Sequence, residues 1–544
     1  MSSRPLLFYR VLTLGLVAAV HAQLPMPPVP EPSGNPTTTD KVNLGKALFW
    51  DEQMSSTRTM ACGTCHAHEF GGADPRAGQA VNPGADGLFG TADDVFGSPG
   101  VPLTDAYGYY LPTSEYGLDV QVTGRMAPSV INAAFNQEQF WDGRVGERFN
   151  DPVTGFQVLP FDASLEGQAA GPPTSSVEMG HMGRDWNDIA ARIAASEPLA
   201  MASNIPPALD TWIGDNSYPD LFAIAFGDPA VTPARILMAI AAYERVLVSD
   251  QSPYDLGVSN LTPEEQQGWF VFTYPANCTM QCHTQPTFRD GQYHNIGVRP
   301  PDEDLGRFNV TGLAADRGRF KTPGMRNLAL RKRFMHNGIH TSIDELVEFY
   351  DRGGDFADNR SPLIKPLGLS ASDKAAVVAF LRNGLLDPRV ANNLPPFDRP
   401  TLYTETLLAP QTYGQGAAGS GGFEPRLLAL EPPLLGNPNF TLALADGLGG
   451  SLALLGFDVA QGAGTPVAGV PLNLGATPAM VLAGVGVLAG SQPGDGYWSA
   501  PFALPTDPAF VGAPIFAQGF VVDPSTPEGL AATAGTQFAL FAPR

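Results

Sequence analysis

The chain has 544 residues, a net charge of −22 at pH 7, 60 glycines and 52 prolines. This length is enough for about three domains of roughly 150 residues each, and 43% hydrophobic residues are enough to form cores. The strong negative charge argues against nucleic acid as a partner and favours basic proteins.

The first residues of the chain have the pattern of a secretory signal peptide. Arg4 and Arg10 give a positive start, 11–20 is a short apolar run, and Ala22 is a small residue at the expected cleavage position. The apolar run is too short to cross a bilayer; a retained N-terminal anchor is the alternative. We expect a periplasmic or secreted protein, without a membrane span after cleavage, in which a Pro-rich linker (23–40) follows the signal.

The sequence Cys62-Gly-Thr-Cys65-His66 follows a predicted helix over Lys41–Asp51. C-x-x-C-H is the signature of a covalently attached c-type haem. The thiols form thioethers with the porphyrin, and the imidazole of His66 binds the iron. A zinc site would need a second ligand pair, for which only His68 is near. A redox dithiol would not explain the adjacent histidine.

A longer variant of the motif, Cys278-Thr-Met-Gln-Cys282-His283, occurs in the second half of the chain. A predicted helix precedes it, with Thr262 as N-cap and Glu265 completing a capping box. The chain has four cysteines, so the two motifs use all of them and none remains for a disulfide. We therefore predict two covalently bound haem c groups.

Several further segments show a local pattern. Residues 71–108 are rich in Gly and Asp, and 86–94 reads either as a calcium loop or, preferably, as a solvated surface loop. The run 230–247 predicts an apolar helix that closes the first unit. Apolar periodicity and capping residues predict two more helices, over 342–351 and 370–383.

The composition changes after Pro388. Pro, Gly and Ser dominate a predicted linker (389–424), and short apolar runs then alternate with turns over 425–544, which is typical of a β-sandwich. The predicted fold is mainly α: two cytochrome c-like helical haem domains (41–255 and 256–388), followed by an all-β sandwich. We interpret the sandwich as a binding or attachment module.

Five segments carry a resemblance to a known family. The chain resembles the bacterial di-haem cytochrome c peroxidase and MauG family over about residues 41–388. The matching segments are Leu44–Asp51, Gln139–Arg144, Val177–Gly180, Phe320–Asn327 and Met335–Gly338. The resemblance implies a peroxidatic first haem and an electron-transferring second haem.

The resemblance also assigns roles to three side chains. Glu178 matches the distal acid/base of the family, Gln168 matches its distal glutamine, and Trp141 matches the tryptophan between the haems. A group that moves a proton from one peroxide oxygen to the other is what the chemistry needs. Without the resemblance, Trp141 would be read as core packing and Glu178 as a solvated surface residue.

Two positions depart from the family. Many members carry a histidine that blocks the first iron, but no histidine lies between His68 and His181. We therefore expect an open first haem; His181 is the remaining substitute for the blocking ligand, and a hydrogen bond in the pocket is its preferred role. At the second haem, Tyr350 stands where peroxidases have a distal methionine and MauG has tyrosine. Met335 is the alternative ligand, and packing on an apolar helix face is the alternative role of Tyr350.

The calcium ion of the family is left open by the sequence. Its usual Asn ligand is replaced by Met126, so the carbonyls of Arg331 and Arg333 are the remaining candidate ligands. We predict an exported di-haem peroxidase that reduces hydrogen peroxide with electrons from a c-type cytochrome or cupredoxin. The alternatives are a MauG-like oxidase of a protein or organic substrate, working through high-valent haem, and a non-catalytic di-haem electron carrier.

Overall fold

The computed structural model describes residues 24–544. The predicted signal peptide, 1–22, lies outside the described residues. Within the described part, no helix is both long and apolar enough to cross a membrane.

Thirteen α-helices occur in the described part of the chain, and several have only four residues. In chain order they are α1 (Thr39–Phe49), α2 (Cys62–Cys65), α3 (Ser164–Ala169), α4 (Trp186–Ala195), α5 (Pro207–Ile213), α6 (Tyr218–Phe226), α7 (Pro233–Val246), α8 (Pro263–Thr273), α9 (Cys278–Gln281), α10 (Phe308–Thr311), α11 (Ile343–Asp351), α12 (Ala371–Ala379) and α13 (Pro388–Ala391).

Fifteen strands are found in the same part, most of them after residue 410. They are β1 (Phe149–Asn150), β2 (Gln157–Leu159), β3 (Tyr293–His294), β4 (Phe320–Lys321), β5 (Gln411–Tyr413), β6 (Arg426–Ala429), β7 (Phe440–Leu448), β8 (Leu452–Asp458), β9 (Gln461–Val467), β10 (Val470–Leu474), β11 (Val481–Val487), β12 (Pro493–Phe502), β13 (Pro514–Val522), β14 (Leu530–Ala532) and β15 (Gly535–Ala539).

The same helix crossing is built twice, once before each cysteine motif. In the first unit α1 packs on α7, and a Cβ on Gly45 would lie 1.9 Å from the carbonyl oxygen of Ala239. In the second unit α8 packs on α12, and a Cβ on Gly268 would lie 1.9 Å from the carbonyl oxygen of Ala376. Only glycine permits such close backbone approach, so the two halves share one architecture, as the order of their motifs suggests.

The second crossing begins at the predicted capping box. The hydroxyl of Thr262 accepts a hydrogen bond from the amide of Glu265, whose carboxylate accepts one from the amide of Thr262 at 2.8 Å. These two bonds satisfy donors that a helix start leaves unpaired. The capping prediction for α8 is therefore confirmed.

The C-terminal β region (residues 425–544) consists of antiparallel strands in two main sheets, one of which also includes β5 from the preceding segment. One sheet has the order β11-β8-β13-β15-β5, with β14 beside β13, and the other has the order β12-β7-β6. Leu442 and Leu444 of β7 share a buried core with Leu455 of β8 and Val521 of β13. Two sheets face each other across this core, in agreement with the predicted sandwich.

The prediction of a mainly α fold is wrong. Helices account for 26% of the structure and strands for 19%. The helices that carry the cysteine motifs are single turns, and long irregular segments such as 71–132 separate the regular elements. Frequent Gly and Pro residues interrupt helices there, and the β region adds strands without adding helix.

The segment 389–424 is packed against the first unit over its first half. Phe397 and Tyr403 are fully buried. Lys46 of α1 donates to the carboxylate of Asp398 at 2.7 Å. This segment therefore ties the β region to the helices around the first cysteine motif.

Candidate active site

The first cysteine motif forms the one-turn helix α2. It holds Cys62 and Cys65 one turn apart, and His66 follows directly, its amide donating to the carbonyl of Cys62 at 3.1 Å. The Nδ1 atom of His66 lies 3.4 Å from the carbonyl oxygen of Gly72. A carbonyl can only accept, so the proton resides on Nδ1 and Nε2 is left as the ligand atom.

The second motif repeats this arrangement in α9. The amide of His283 donates to the carbonyl of Cys278 at 2.8 Å, and its Nδ1 lies 2.9 Å from the carbonyl oxygen of Phe288. Nε2 of this histidine is again left for a metal. All four cysteines are free thiols, as thioether attachment requires.

A cavity of about 640 Å³ adjoins the first motif. Cys62, Cys65 and His66 form one part of its wall, and Glu178 and Gln168 form another. The structure thus brings five of the residues singled out in the sequence around one space. A concave site with a few convergent polar groups is the usual form of a small-molecule site.

Glu178 sits in a turn at the wall of this first cavity. Its amide donates to the hydroxyl of Ser175 at 3.3 Å. Burial raises the pKa of the Glu178 carboxyl, opposed by a hydrogen bond from Ser175 and the charge of Arg144. A raised pKa makes the carboxylate a stronger base toward a bound molecule.

His181 does not take the place of a blocking ligand. Among the described residues that line the first cavity, the histidines are His66 and His336. His181 instead has its Nδ1 3.0 Å from the carbonyl oxygen of Met182 and its Nε2 3.9 Å from the carboxylate of Asp188.

An aromatic wall separates the first cavity from a second one. Trp141, Phe320 and His336 line both cavities. The indole N–H of Trp141 donates to the carbonyl of Met126 at 2.8 Å. The His336 ring stacks on Phe320 with centroids 3.6 Å apart, and Trp141 meets it edge-on at 6.3 Å. These three rings are therefore in continuous contact from one cavity to the other.

The second cavity has a volume of about 240 Å³ and adjoins the second motif. Cys278, Cys282 and His283 belong to its wall, and so do Tyr350 and Met335. Both sequence candidates for a second-haem ligand are therefore at the cavity.

The two candidate ligands, Tyr350 and Met335, each have an unusual local property, the first in the pKa of its side chain and the second in its backbone conformation. Burial raises the pKa of the Tyr350 phenol. Met335 has a φ of 70°, in the left-handed region that non-glycine residues rarely adopt. Such backbone conformations persist where the surroundings over-determine them.

The second cavity is lined by positive side chains. Burial lowers the pKa of Arg331 and of Arg289 to about 10, and burial lowers that of Lys321 to about 7. The Nε atoms of Arg289, Arg326 and Arg331 are buried without a hydrogen-bond partner. An anion would satisfy these donors, so the wall fits the carboxylates of a haem.

Two residues that the sequence did not single out also line the first cavity. His336 is buried, and burial lowers its pKa to about 4. Glu244 of α7 has a buried, unpartnered Oε2, and burial raises its pKa to about 8. His336 lies inside the matching segment Met335–Gly338, which was an available signal. Glu244 lies in an apolar helix and gave no comparable signal.

In the acidic loop, backbone amides of the loop itself bind the carboxylate of Asp93. Asp93 accepts hydrogen bonds from the amides of Ala85 and Asp86 at 2.8 and 3.0 Å. Of the described residues, a single group of three meets the geometry of a metal site, namely Cys282, Asp290 and His294. This group shares its cysteine with the second haem motif.

Comparison with known proteins agrees with this geometry. A family model of the di-haem cytochrome c peroxidases matches residues 39–261. The methylamine utilization protein MauG of Methylorubrum extorquens is 30% identical over 380 residues, which are 68% of this chain and 86% of the relative. Cytochrome c551 peroxidase of Nitrosomonas europaea is 28% identical over 325 residues, covering 58% and 74% of the two chains.

A solved structure shares the fold. It is the crystal structure of a MauG-like protein associated with microbial copper homeostasis, with a TM-score of 0.50 and 24% identity. The match covers 70% of this chain and 98% of that one.

Proposed function

This chain belongs to the di-haem cytochrome c peroxidase family and is a peroxidase-like oxidoreductase; we propose that its first cavity is where hydrogen peroxide is reduced. One observation carries this assignment. Glu178 and Gln168, from separate segments, line the same cavity as His66. A non-catalytic electron carrier would not need a proton-transfer group there.

We propose that each cavity holds a covalently attached haem c. Cys62 and Cys65 would anchor the first and Cys278 and Cys282 the second. The free Nε2 atoms of the two motif histidines would bind the irons. Haem iron, when bound, supplies the redox chemistry that splits the oxygen–oxygen bond of peroxide.

The side chains of the first cavity would handle the protons. Reduction of one hydrogen peroxide to two water molecules consumes two electrons and two protons. The Glu178 carboxylate accepts a proton from one peroxide oxygen and returns it to the other as the bond breaks. The amide of Gln168 orients the peroxide by hydrogen bonds. Because burial desolvates Glu178, the pKa of its carboxyl is raised and the carboxylate is a stronger base for this exchange.

Electrons would cross the wall that holds Trp141. The indole is fixed by its bond to the carbonyl of Met126, and it contacts the His336–Phe320 stack. The electrons would come from a small c-type cytochrome or a cupredoxin. A net charge of −22 favours a donor with a basic surface. We further propose that the protein is exported, as haem c attachment and the N-terminal pattern suggest.

A MauG-like oxidase is the second candidate function. Tyr350 lines the second cavity and matches the family position where MauG has tyrosine. An anionic phenolate ligand favours ferric iron and lowers the reduction potential. Oxidation of a protein or organic substrate would then replace electron delivery by a donor.

Turnover with a defined donor distinguishes these functions. The haem-loaded protein is mixed with hydrogen peroxide and a reduced, basic c-type cytochrome, with a reduced cupredoxin in parallel. We expect two donor molecules to be oxidised per peroxide consumed. Peroxide consumption only with an added organic or protein substrate would favour the oxidase. No consumption and no spectral response to peroxide would favour the electron carrier and contradict the proposal. Metal analysis of the same sample tests the calcium expected from the family.

A further inference from the structure

The C-terminal β region contacts the first unit through a long loop, residues 99–122, called here the docking loop. The guanidinium of Arg426 in β6 donates to both carboxylate oxygens of Asp119, at 2.8 and 2.9 Å. The amide of Tyr110 donates to the hydroxyl of Ser499 in β12 at 2.9 Å. The docking loop has no strand or helix of its own, so these contacts contribute to its order.

An apolar contact reinforces this attachment. Tyr110 and Leu118 of the docking loop are 1% and 2% exposed and form one cluster with Ala443 and Ala445 of β7. The hydroxyl of Thr441, at the start of the same strand, donates to the carbonyl of Gly108 at 3.0 Å. Both apolar and polar groups of the loop therefore contact the β region.

A second segment of the first unit meets the β region nearby. This is the turn 55–59, in which Arg58 has a φ of 57°. Its guanidinium donates to the side-chain oxygen of Asn437 at 3.0 Å. Burial lowers the pKa of this guanidinium, and the buried carboxyl of Glu431 opposes that shift.

The two segments hold the backbone on either side of Glu178. The amide of Val101, in the docking loop, donates to the carbonyl of Val177 at 3.0 Å, and the amide of Ser56, in the turn, donates to the carbonyl of Met179 at 2.8 Å. Glu178 lies between these two anchored residues. Its position in the first cavity is therefore tied to both segments.

The docking loop makes two further contacts with the stretch before Glu178. The side-chain amide of Gln121 donates to the carbonyl of Ser176 at 2.7 Å. A Cβ on Gly100 would lie 1.8 Å from the carbonyl oxygen of Val177, so the two backbones are as close as glycine permits. Displacement of the docking loop would be transmitted directly to this stretch.

We propose that the C-terminal β region is a positioning domain that holds Glu178 in the first cavity through the docking loop and the turn 55–59. This inference rests on the proposed function of Glu178 as the proton-transfer group. Catalytic groups displaced by about 1 Å can lose on the order of 100-fold in rate. Arg426 and Asp119 are positioning residues in this arrangement, because they touch neither cavity.

The test removes the ion pair from either side. Arg426→Ala, Asp119→Ala and the double variant are compared with Arg382→Ala, whose pair with Asp344 is also exposed and lies in the second unit. Hydrogen exchange is measured for peptides covering residues 173–182, on the haem-loaded protein. Exposed ion pairs contribute modestly to local stability, so we expect about two- to fivefold faster exchange there in both single variants. The control should match the wild type.

The double variant and the peroxide reaction complete the test. If both side chains act through their mutual pair, the double variant should be no worse than either single variant, and the peroxide reaction at the first haem should slow with the exchange. Unchanged exchange at 173–182 would overturn the proposal. So would faster exchange spread equally over the second unit, or faster exchange with an unaltered peroxide rate. If Glu178→Gln itself left the peroxide rate unaltered, the proposed function would fail, and the exchange data alone would decide the positioning proposal.

Discussion

The two cavities are built on the same motif and the same helix crossing, but their walls differ in charge: the first combines acidic side chains with Arg125, Arg144 and Arg299, whereas the charged residues among the described lining of the second are basic. Six acidic residues line the first cavity, namely Asp93, Asp142, Glu178, Glu244, Glu303 and Asp304. Among described residues, no Asp or Glu lines the second, where the charged residues are Arg289, Lys321, Arg326, Arg331, Arg333 and Lys365, with His283, His294 and His336 as the histidines. The second cavity is also the smaller, at about 240 Å³ against about 640 Å³.

We connect this difference in charge and volume with different roles for the two cavities. Buried carboxyl groups can exchange protons with a small molecule, and Glu178 and Glu244 line the larger cavity. A cationic wall stabilises added negative charge, so the second cavity suits a haem that accepts and stores electrons. We therefore attribute the different roles to the loops around the two cavities and not to the helix crossing that both units share.

The largest expected effect concerns the proton-transfer group. Glu178→Gln preserves the shape of the side chain and removes the proton acceptor. We expect the peroxide reaction at the first haem to slow by about 100-fold or more, measured by rapid mixing. Glu303→Gln is the matched control, because Glu303 lines the same cavity but is paired with Arg299.

The pH dependence sharpens the same comparison. The folded pKa of Glu178 is raised, so at low pH its carboxyl is neutral and cannot accept a proton. The reaction rate should rise as pH increases through this raised pKa. Glu178→Gln should remove that rise. A wild-type pH profile retained in Glu178→Gln would assign the titration to another group.

The next prediction concerns the basic side chains that line the second cavity, called here the cationic wall. Arg331→Gln removes a unit charge near the second haem. At about 8 Å and an effective dielectric constant of about 20, this is about 2 kcal/mol, which lowers the one-electron potential by on the order of 80 mV. A potentiometric titration measures it. Arg299→Gln, at the first cavity, should leave the potential of the second haem unchanged; an equal shift in both variants would argue against a local effect.

We expect the aromatic wall to carry electrons between the two haems. Trp141→Phe removes the indole and its bond to Met126. We expect a severalfold slower oxidation of the reduced second haem after peroxide is added, whereas the initial peroxide reaction at the first haem is unaffected. Trp269→Phe is a suitable control, since Trp269 is buried in the second unit but lines neither cavity. Equal rates in the wild type and Trp141→Phe would exclude this route.

The smallest expected effect is spectral. If Tyr350 binds the second iron, Tyr350→Phe should change the absorption bands of that haem, and Met335→Leu should not. The reverse pattern would identify Met335 as the ligand. Unchanged spectra in both variants would indicate that neither side chain binds the iron and that both have a packing role.

The sequence was informative where local rules operate. The capping residues Thr262 and Glu265 set the start of α8, and periodicity predicted a helix at 342–351, where α11 occurs. The cysteine motifs and the family segments led to Glu178 and Gln168, which share a cavity in the structure. These signals depend on residues close together in the chain.

Features that depend on distant residues were missed. The cationic wall joins Arg289 with Arg331 from separate loops, and no spacing rule links them. The buried Glu244 lies in an otherwise apolar helix, so its surroundings in the sequence gave no sign of a functional role. The mainly α prediction failed because long loops and the C-terminal strands, and not helices, make up much of the structure. The contact of Arg426 with Asp119 spans 307 residues, which a single sequence does not reveal.

The most direct test of the division between the cavities is the electron paramagnetic resonance spectrum of the fully oxidised, haem-loaded protein. We expect a high-spin ferric signal from the first haem, which is open to peroxide before any reduction, together with a distinct second-haem signal. Addition of peroxide should remove the high-spin signal. Two low-spin ferric signals, unaffected by peroxide until the protein is reduced, would contradict an open first cavity.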